Sequence, residues 1–436
     1  MKKNTKSRYR KIQLIFRFLQ GSKVYFGAAV AASLISTVLN ALTPQIFRFS
    51  IDEVLGGNGG GRLSGNLWEL ALLIVAVAVA SGIFTYVSRT NTAKAGENFA
   101  KNLRDTLFIH VQKLPMKWHD RNQTGDIIQR CTSDVEVIRS FVVTQLLEVF
   151  RTAFLVLTSF VMMFSMNVKL SCIVLLFVPV VIVYSTVFYK LIAKRFTTAD
   201  EAEGELSTVV QENATGVRVV RAFGREQFEM ERFDEKNNAF ARLWIRLGTL
   251  SGLYWGIGDL ITGLQVVAVI IFGVAEAVNG AISVGEFIAF AAYNSTLVWP
   301  IRGLGRILSD MSKAGVSFER VDYIIRSQEE AYGKEADTSG NRYDISFQHV
   351  TFGYEEGKEV LRDISFTVPQ GRTFGVLGGT GSGKSTIIQL LSRLYELGDD
   401  GGSIHIGNRN IQDIPIEELR RSIGMVLQEP FLYSRS

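Results

Sequence analysis

Long apolar runs alternate with long charged ones over the first three quarters of the chain. Six apolar runs, Val24 to Phe49, Leu67 to Ser88, Leu146 to Ser165, Leu170 to Tyr189, Gly256 to Val278 and Val284 to Leu304, each reach about the 20 residues with which a helix crosses a hydrocarbon core. Only Met166, Asn167, Val168 and Lys169 separate the third from the fourth, which predicts an antiparallel helical hairpin. The last two meet as closely, around Asn279 and Gly280. The long connections, about Arg89 to Gln145 and Lys190 to Trp255, mix apolar and charged residues at helical spacing. No proline precedes Pro115 in the first and none occurs in the second, so membrane helices are expected to run on beyond the bilayer, turn and return. Pro115 and Gly125 punctuate the first tip, Gly216 and Gly224 the second.

The pattern changes after Arg326. Ser327 to Asn341 is polar and reads as a linker, and beyond it the period shortens. Ile345 to Val350, Ile364 to Val368, Thr373 to Leu377 and Ile404 to Ile406 are apolar, rich in strand formers and bounded by turns, which predicts a soluble α/β domain. The expected organisation is a cytoplasmic segment 1–23, a six-span helical domain 24–326, a linker 327–342 and an α/β domain 343–436.

Composition agrees with a membrane portion: 47% of residues are hydrophobic and 20% charged. A net charge of +5 would suit a nucleic-acid partner only if the basic residues formed one stripe, and they fall instead between the apolar runs. Lys2, Lys3, Lys6, Arg8, Arg10, Lys11, Arg17 and Lys23 precede the first run, and both long connections are basic. The other connections hold little beyond Arg62 and Lys169, so the N-terminus, both long connections and the α/β domain are expected in the cytoplasm, beneath the plasma membrane. The apolar run after the basic start is longer than a signal-peptide core and five more follow it. The glycines from Gly56 to Gly61 read as a flexible outer loop. Cys131 and Cys172, and His110, His119, His349 and His405, match no metal or disulfide spacing.

The sharpest chemical signal is Gly378-Gly379-Thr380-Gly381-Ser382-Gly383-Lys384-Ser385-Thr386, which fits G-x-x-x-x-G-K-[ST]. Glycines let backbone N–H groups approach phosphate oxygens, and a helix starting near Lys384 aims its positive end at them. Lys384 is placed for the β- and γ-phosphates and the Ser385 hydroxyl for Mg²⁺. The apolar segment Thr373 to Leu377 enters the loop and an apolar-periodic helix, Ile387 to Tyr395, leaves it.

Six spans, long cytoplasmic extensions, a polar linker and a phosphate loop in this order resemble an ABC exporter half-transporter of the bacterial multidrug and lipid type, from about Ile12 onward. Val350-Thr351-Phe352-Gly353-Tyr354, with Val360 to Phe366, resembles the opening strand and aromatic loop of the ATP-binding domain. The resemblance gives Tyr354 the stacking of adenine. Leu419 to Pro430 resembles the strand and glutamine loop, which gives Gln428 contact with Mg²⁺ and the attacking water. Thr124-Gly125-Asp126 with Arg130 and Asp134, and Gly216 to Glu226, resemble the two coupling regions. ATP and Mg²⁺ are the implied cofactors, a second half-transporter, identical or different, is the implied partner, and a hydrophobic or amphiphilic small molecule or lipid is the implied substrate.

The signature motif, the magnesium-strand Asp, the catalytic Glu and the switch His have no counterpart in these 436 residues. The α/β domain is therefore expected to be incomplete, and hydrolysis by the chain alone is not expected. A non-catalytic membrane subunit pairing with an intact half-transporter is the alternative, and an ATP-gated channel a third reading. Glu148 with Arg151, and Asp259, fall near inner span ends, where hydrated or paired structural roles compete with functional ones. Tyr254, Trp255, Phe290, Tyr293 and Trp299 serve either packing or an apolar substrate cavity.

Overall fold

A computed structural model describes residues 17–55, 67–330, 343–355, 357–398 and 400–428. The basic start, the glycine run and most of the linker lie outside these residues. The chain divides into two compact units, Met1–Leu103 with Asp134–Glu319, and Arg104–Ser133 with Arg320–Ser436.

The first unit is helical. Its helices are α1 (Lys23–Leu55), most of α2 (Leu67–Gln112), α5 (Val135–Ser140), α6 (Leu146–Met166), α7 (Val168–Ala222), α8 (Glu226–Val278) and most of α9 (Val284–Arg326). Among the described residues, five helical stretches are long and apolar enough to cross a membrane: Lys23–Asp52, Trp68–Gln112, Thr124–Met166, Val168–Ala222 and Glu226–Val278. The sixth expected span, Val284 to Leu304, is helical within α9 but is not among the five. Glu286, Asn294 and Arg302 dilute its apolar sequence.

The expected hairpin is present, with Asn167 alone between α6 and α7. Asn167 takes an extended backbone conformation and its side chain accepts from the Leu170 N–H at 3.0 Å, capping an N–H that has no partner inside α7. The expected extensions also form: α7 and α8 run on as helices and turn at Phe223 and Gly224, where φ is +59°. Two π-helical segments, Arg130–Asp134 and Phe141–Gln145, flank α5.

Met163, Leu170, Val174, Val269, Phe290 and Leu297 form the buried centre of this unit. The buried Tyr293 donates to the Ala41 carbonyl at 2.5 Å. A second cluster surrounds Arg302, whose guanidinium stands 5.0 Å from the Trp255 ring, 5.6 Å from Trp299 and 5.8 Å from Tyr254. Its Nη1 lies 2.7 Å from Asp259 Oδ1. Tyr254 and Trp255 thus pack around a paired cation, which answers for Asp259 as well.

The second unit holds the end of α2, α3 (Met116–Arg121), α4 (Thr124–Gln129), the end of α9 and a small sheet with its helices. Strands β1 (Ile345–Phe352), β2 (Leu361–Val368), β3 (Ser403–Ile406) and β4 (Arg409–Asn410) pair in the order β2-β1-β3-β4, every pair antiparallel. Phe347 pairs with Phe366 and stacks on it, centroids 4.6 Å apart. Leu390 of α10 (Lys384–Leu391) and Leu419 of α11 (Ile416–Ser422) close the core over Phe347, Val350, Leu361 and Ile404.

Two expected features change. Thr373 to Leu377 takes no regular secondary structure and pairs with no strand among the described residues. A strand needs neighbouring N–H and C=O groups, and no strand among the described residues supplies them here; Phe374 stacks on Phe366 at 4.8 Å and Leu377 is 97% exposed. The segment resembling the strand before the glutamine loop divides likewise: its start forms the end of α11, and Ile423 to Leu427 belongs to no strand among the described residues.

Candidate functional site

The phosphate loop sits between the irregular segment ending at Leu377 and the start of α10. Gly381 and Gly383 have φ of +82° and +88°, a backbone conformation that side-chain-bearing residues rarely take. A Cβ on Gly383 would also stand 2.6 Å from Leu361 Cδ2, so a larger residue here would have to displace that side chain as well. Gly383 caps α10, and the first N–H groups of that helix have no acceptor inside it. Gly378, Gly379, Thr380, Gly381, Ser382 and Ser385 are exposed, whereas Thr386 is buried. Lys384 turns back over the loop and donates to the Gly378 and Gly379 carbonyls at 2.8 and 2.7 Å. Its ammonium thus stands over the backbone turn, where a phosphate would replace carbonyl oxygens as acceptor. The donor set consists of backbone amides, one ammonium and the Ser385 hydroxyl, and it fits a phosphate chain; the hydroxyl also fits a hard cation.

Tyr354 is brought to the same helix. Its hydroxyl donates to Gln389 Oε1 at 2.6 Å and lies 3.0 Å from Thr386 Oγ1. Its ring is edge-on to Phe352 and Tyr395, with centroids 5.1 and 4.9 Å away. Gln428, by contrast, lies on an exposed bend and makes no hydrogen bond to the loop among the described residues.

Three residues of this neighbourhood escaped the sequence reading: Gln389, Tyr395 and Asp120. Tyr395 donates to Asp120 Oδ2 at 2.6 Å, joining the stretch after α10 to α3. Burial, then the hydrogen bond to the Asp120 carboxylate and its charge, push the Tyr395 phenol above the ordinary tyrosine value. Glu330 reinforces this side: its N–H donates to the Lys113 carbonyl at 2.9 Å and its carboxylate takes both Arg420 Nη groups, at 2.9 and 3.0 Å. A cavity of about 700 Å³ lies among Lys117, Glu330, Tyr354, Tyr395 and Asp400. It touches Tyr354 but none of residues 378–386.

Of the two expected coupling regions, Thr124–Gln129 is α4 of the second unit. There Asp126 pairs with Arg130 at 2.6 Å and Arg130 stands 5.2 Å from the Tyr323 ring. Asp134 belongs to the first unit and accepts from Ser317 at 2.7 Å. Gly216 to Glu226 is the α7–α8 turn of the first unit, with Val217, Val219 and Phe223 exposed.

Residues 26–301 match the family model described as the ABC transporter transmembrane region, and residues 361–436 match the one described as ABC transporter. Among curated proteins of Bacillus subtilis (strain 168), the chain is 30% identical over 413 residues to the uncharacterized ABC transporter ATP-binding protein YknU, covering 93% of this chain and 69% of that one. It is 28% identical over 425 residues to the uncharacterized ABC transporter ATP-binding protein YwjA, covering 97% and 73%. It is also 28% identical over 422 residues to the probable multidrug resistance ABC transporter ATP-binding/permease protein YheI, covering 96% and 71%.

Proposed function

Because the chain belongs to the ABC transporter family, with a multi-pass helical membrane domain fused to an ATP-binding domain, we propose that it is one half of an ATP-driven exporter. The observation that carries this reading is the phosphate loop: left-handed Gly381 and Gly383, the start of α10, and Lys384 turned over the loop, all in the chain that supplies the apolar helices.

In this reading the loop amides and Lys384 bind the phosphates, Tyr354 stacks on adenine, Ser385 and Gln428 contact Mg²⁺, and residues 378–386 form the binding segment. Val284 to Leu304 supplies the sixth span. The basic connections place the N-terminus and the ATP-binding domain in the cytoplasm. Two half-transporters, identical or different, close on ATP, and the closure moves the extensions that continue the spans. The cargo is a hydrophobic or amphiphilic small molecule or lipid, in line with the printed name of YheI. Nucleotide binding is the activity proposed for these 436 residues, and turnover for the exporter they form part of.

Titration of the purified full chain with a fluorescent ATP analogue tests the proposal. Lys384→Ala should weaken binding by about 100-fold, because a desolvated ammonium–phosphate contact is worth about 3 kcal/mol. Equal affinity of the two proteins would overturn the assignment.

A further inference from the structure

Tyr354 is held more firmly than a half-exposed aromatic residue beyond a strand end needs to be. It stands two residues past β1 with 37% of its surface exposed, outside the apolar cluster that forms the core of the sheet. The backbone around it is fixed: the Val360 N–H donates to the Phe352 carbonyl at 2.7 Å, and a Cβ on Gly353 would collide with the Lys358 carbonyl oxygen. Its ring is fixed as well, perpendicular to Phe352 and to Tyr395, whose own hydroxyl is tied to Asp120.

The hydroxyl is the third point of attachment, and both its partners belong to α10. Its single proton goes to Gln389 Oε1 at 2.6 Å, which leaves the oxygen's lone pairs for Thr386 Oγ1 at 3.0 Å. Thr386 and Gln389 are three residues apart and so share one face of α10, and Gln389 lies one helical turn beyond Ser385. The helix that opens with Lys384 and Ser385 thus also grips the far end of the aromatic ring. A hydroxyl–amide bond open to water adds little to stability, because water competes for both partners. It does select one orientation of the ring, and taking away the freedom of a binding side chain before the ligand arrives strengthens binding without any new contact.

We propose that Gln389 is a positioning residue of the nucleotide site: it sets the Tyr354 ring at a fixed place relative to the phosphate loop, so that the base and the phosphates of one nucleotide are engaged together. The proposal rests on the reading of Tyr354 as the platform for adenine. Gln389 acts through Tyr354, so its loss weakens the share of the affinity that comes from the base and spares the share that comes from the phosphates.

The test measures, on the full chain in detergent, how ATP and inorganic tripolyphosphate displace a fluorescent ATP analogue. Tripolyphosphate carries the phosphate chain without base or sugar. Gln389→Leu should weaken ATP about fivefold and leave tripolyphosphate within about twofold, so that the ratio of the two affinities falls. Gln389→Glu, whose carboxylate accepts from the same hydroxyl, should keep most of that ratio, a rescue that a merely structural role does not predict. Tyr354→Phe retains the ring and removes the hydroxyl, and in that background Gln389→Leu should change nothing further. An unaltered ratio in folded Gln389→Leu, an equal loss for both ligands, or an effect of Gln389→Leu that persists in Tyr354→Phe overturns the proposal. Should Gln389→Leu fail to fold, Tyr354→Phe decides alone: it should lower the ratio by the same factor, and an unchanged ratio overturns the proposal. Tyr354→Ala separates the two readings. If it leaves the ratio unchanged, Tyr354 is no platform and both fall; if it lowers the ratio while Gln389→Leu does not, only the positioning role falls.

Discussion

Removing the carboxylate of Asp259 tests how the first unit tolerates a buried cation. Arg302 is 3% exposed and Asp259 71% exposed, so Asp259→Asn strips the partner from the buried member of the pair. Two unit charges about 4 Å apart attract by about 1 kcal/mol in water and about 4 kcal/mol at an effective dielectric of 20. With one member in solvent and the other inside, the pair falls between these limits, at about 2 kcal/mol. The rings of Trp255, Trp299 and Tyr254 remain, each contributing about 0.5–2 kcal/mol to holding the guanidinium. The cation is thus expected to stay in its cage, and Asp259→Asn to cost about 2 kcal/mol. Arg302→Met should cost the pair and the ring contacts together. In the double variant Asp259→Asn should add almost nothing, a coupling of about 2 kcal/mol. Equilibrium unfolding in detergent, followed by tryptophan fluorescence, reads the cage directly because Trp255 and Trp299 belong to it. A coupling below about 0.5 kcal/mol would refute the reasoning, since distant, independent sites add within that margin.

Further outcomes follow from the second unit. Phe347→Ala, which removes a 2% exposed ring stacked on Phe366, should cost the sheet about 3–5 kcal/mol, read by thermal unfolding and protease resistance. Gly383→Ala places a Cβ against Leu361 at φ +88° and should weaken ATP-analogue binding about tenfold or more, measured in the same titration as Lys384→Ala. The Tyr395 phenol is raised in the folded chain, so its contribution to stability is complete below the ordinary tyrosine value of about 10 and is lost as pH rises through the folded value. Thermal stability measured from pH 8 to about 11 should fall at the upper end, and Tyr395→Phe should flatten that fall.

Local chemistry was readable along the chain, and long-range pairing was not. Only Met166 to Lys169 separate two apolar runs, a turn too short for anything but an antiparallel pair, so the hairpin was visible in sequence. The phosphate loop was equally legible, because its glycines answer to the geometry of their own backbone. Thr373 to Leu377 misled because strand propensity reports the residue's fit to a pleated surface and says nothing about which neighbour supplies the hydrogen bonds. Tyr395 and Asp120 are 275 positions apart, a pairing that no local pattern encodes. At the Arg302 cluster the rings were noticed in sequence, while the cation they enclose came into view only once α8 and α9 lay side by side.

The helices α7 and α8, with 55 and 53 residues, are each about 80 Å long at 1.5 Å per residue and are packed together along their length. Such a paired rod acts as a lever. A tilt of only about 5° at one end sweeps the other by about 7 Å, more than a full helical turn of rise. Whatever grips the tip at Gly224 therefore needs little angular work to displace the opposite end by the width of a side chain, and stiffness along the rod, more than strength at any single contact, sets how faithfully that movement is transmitted.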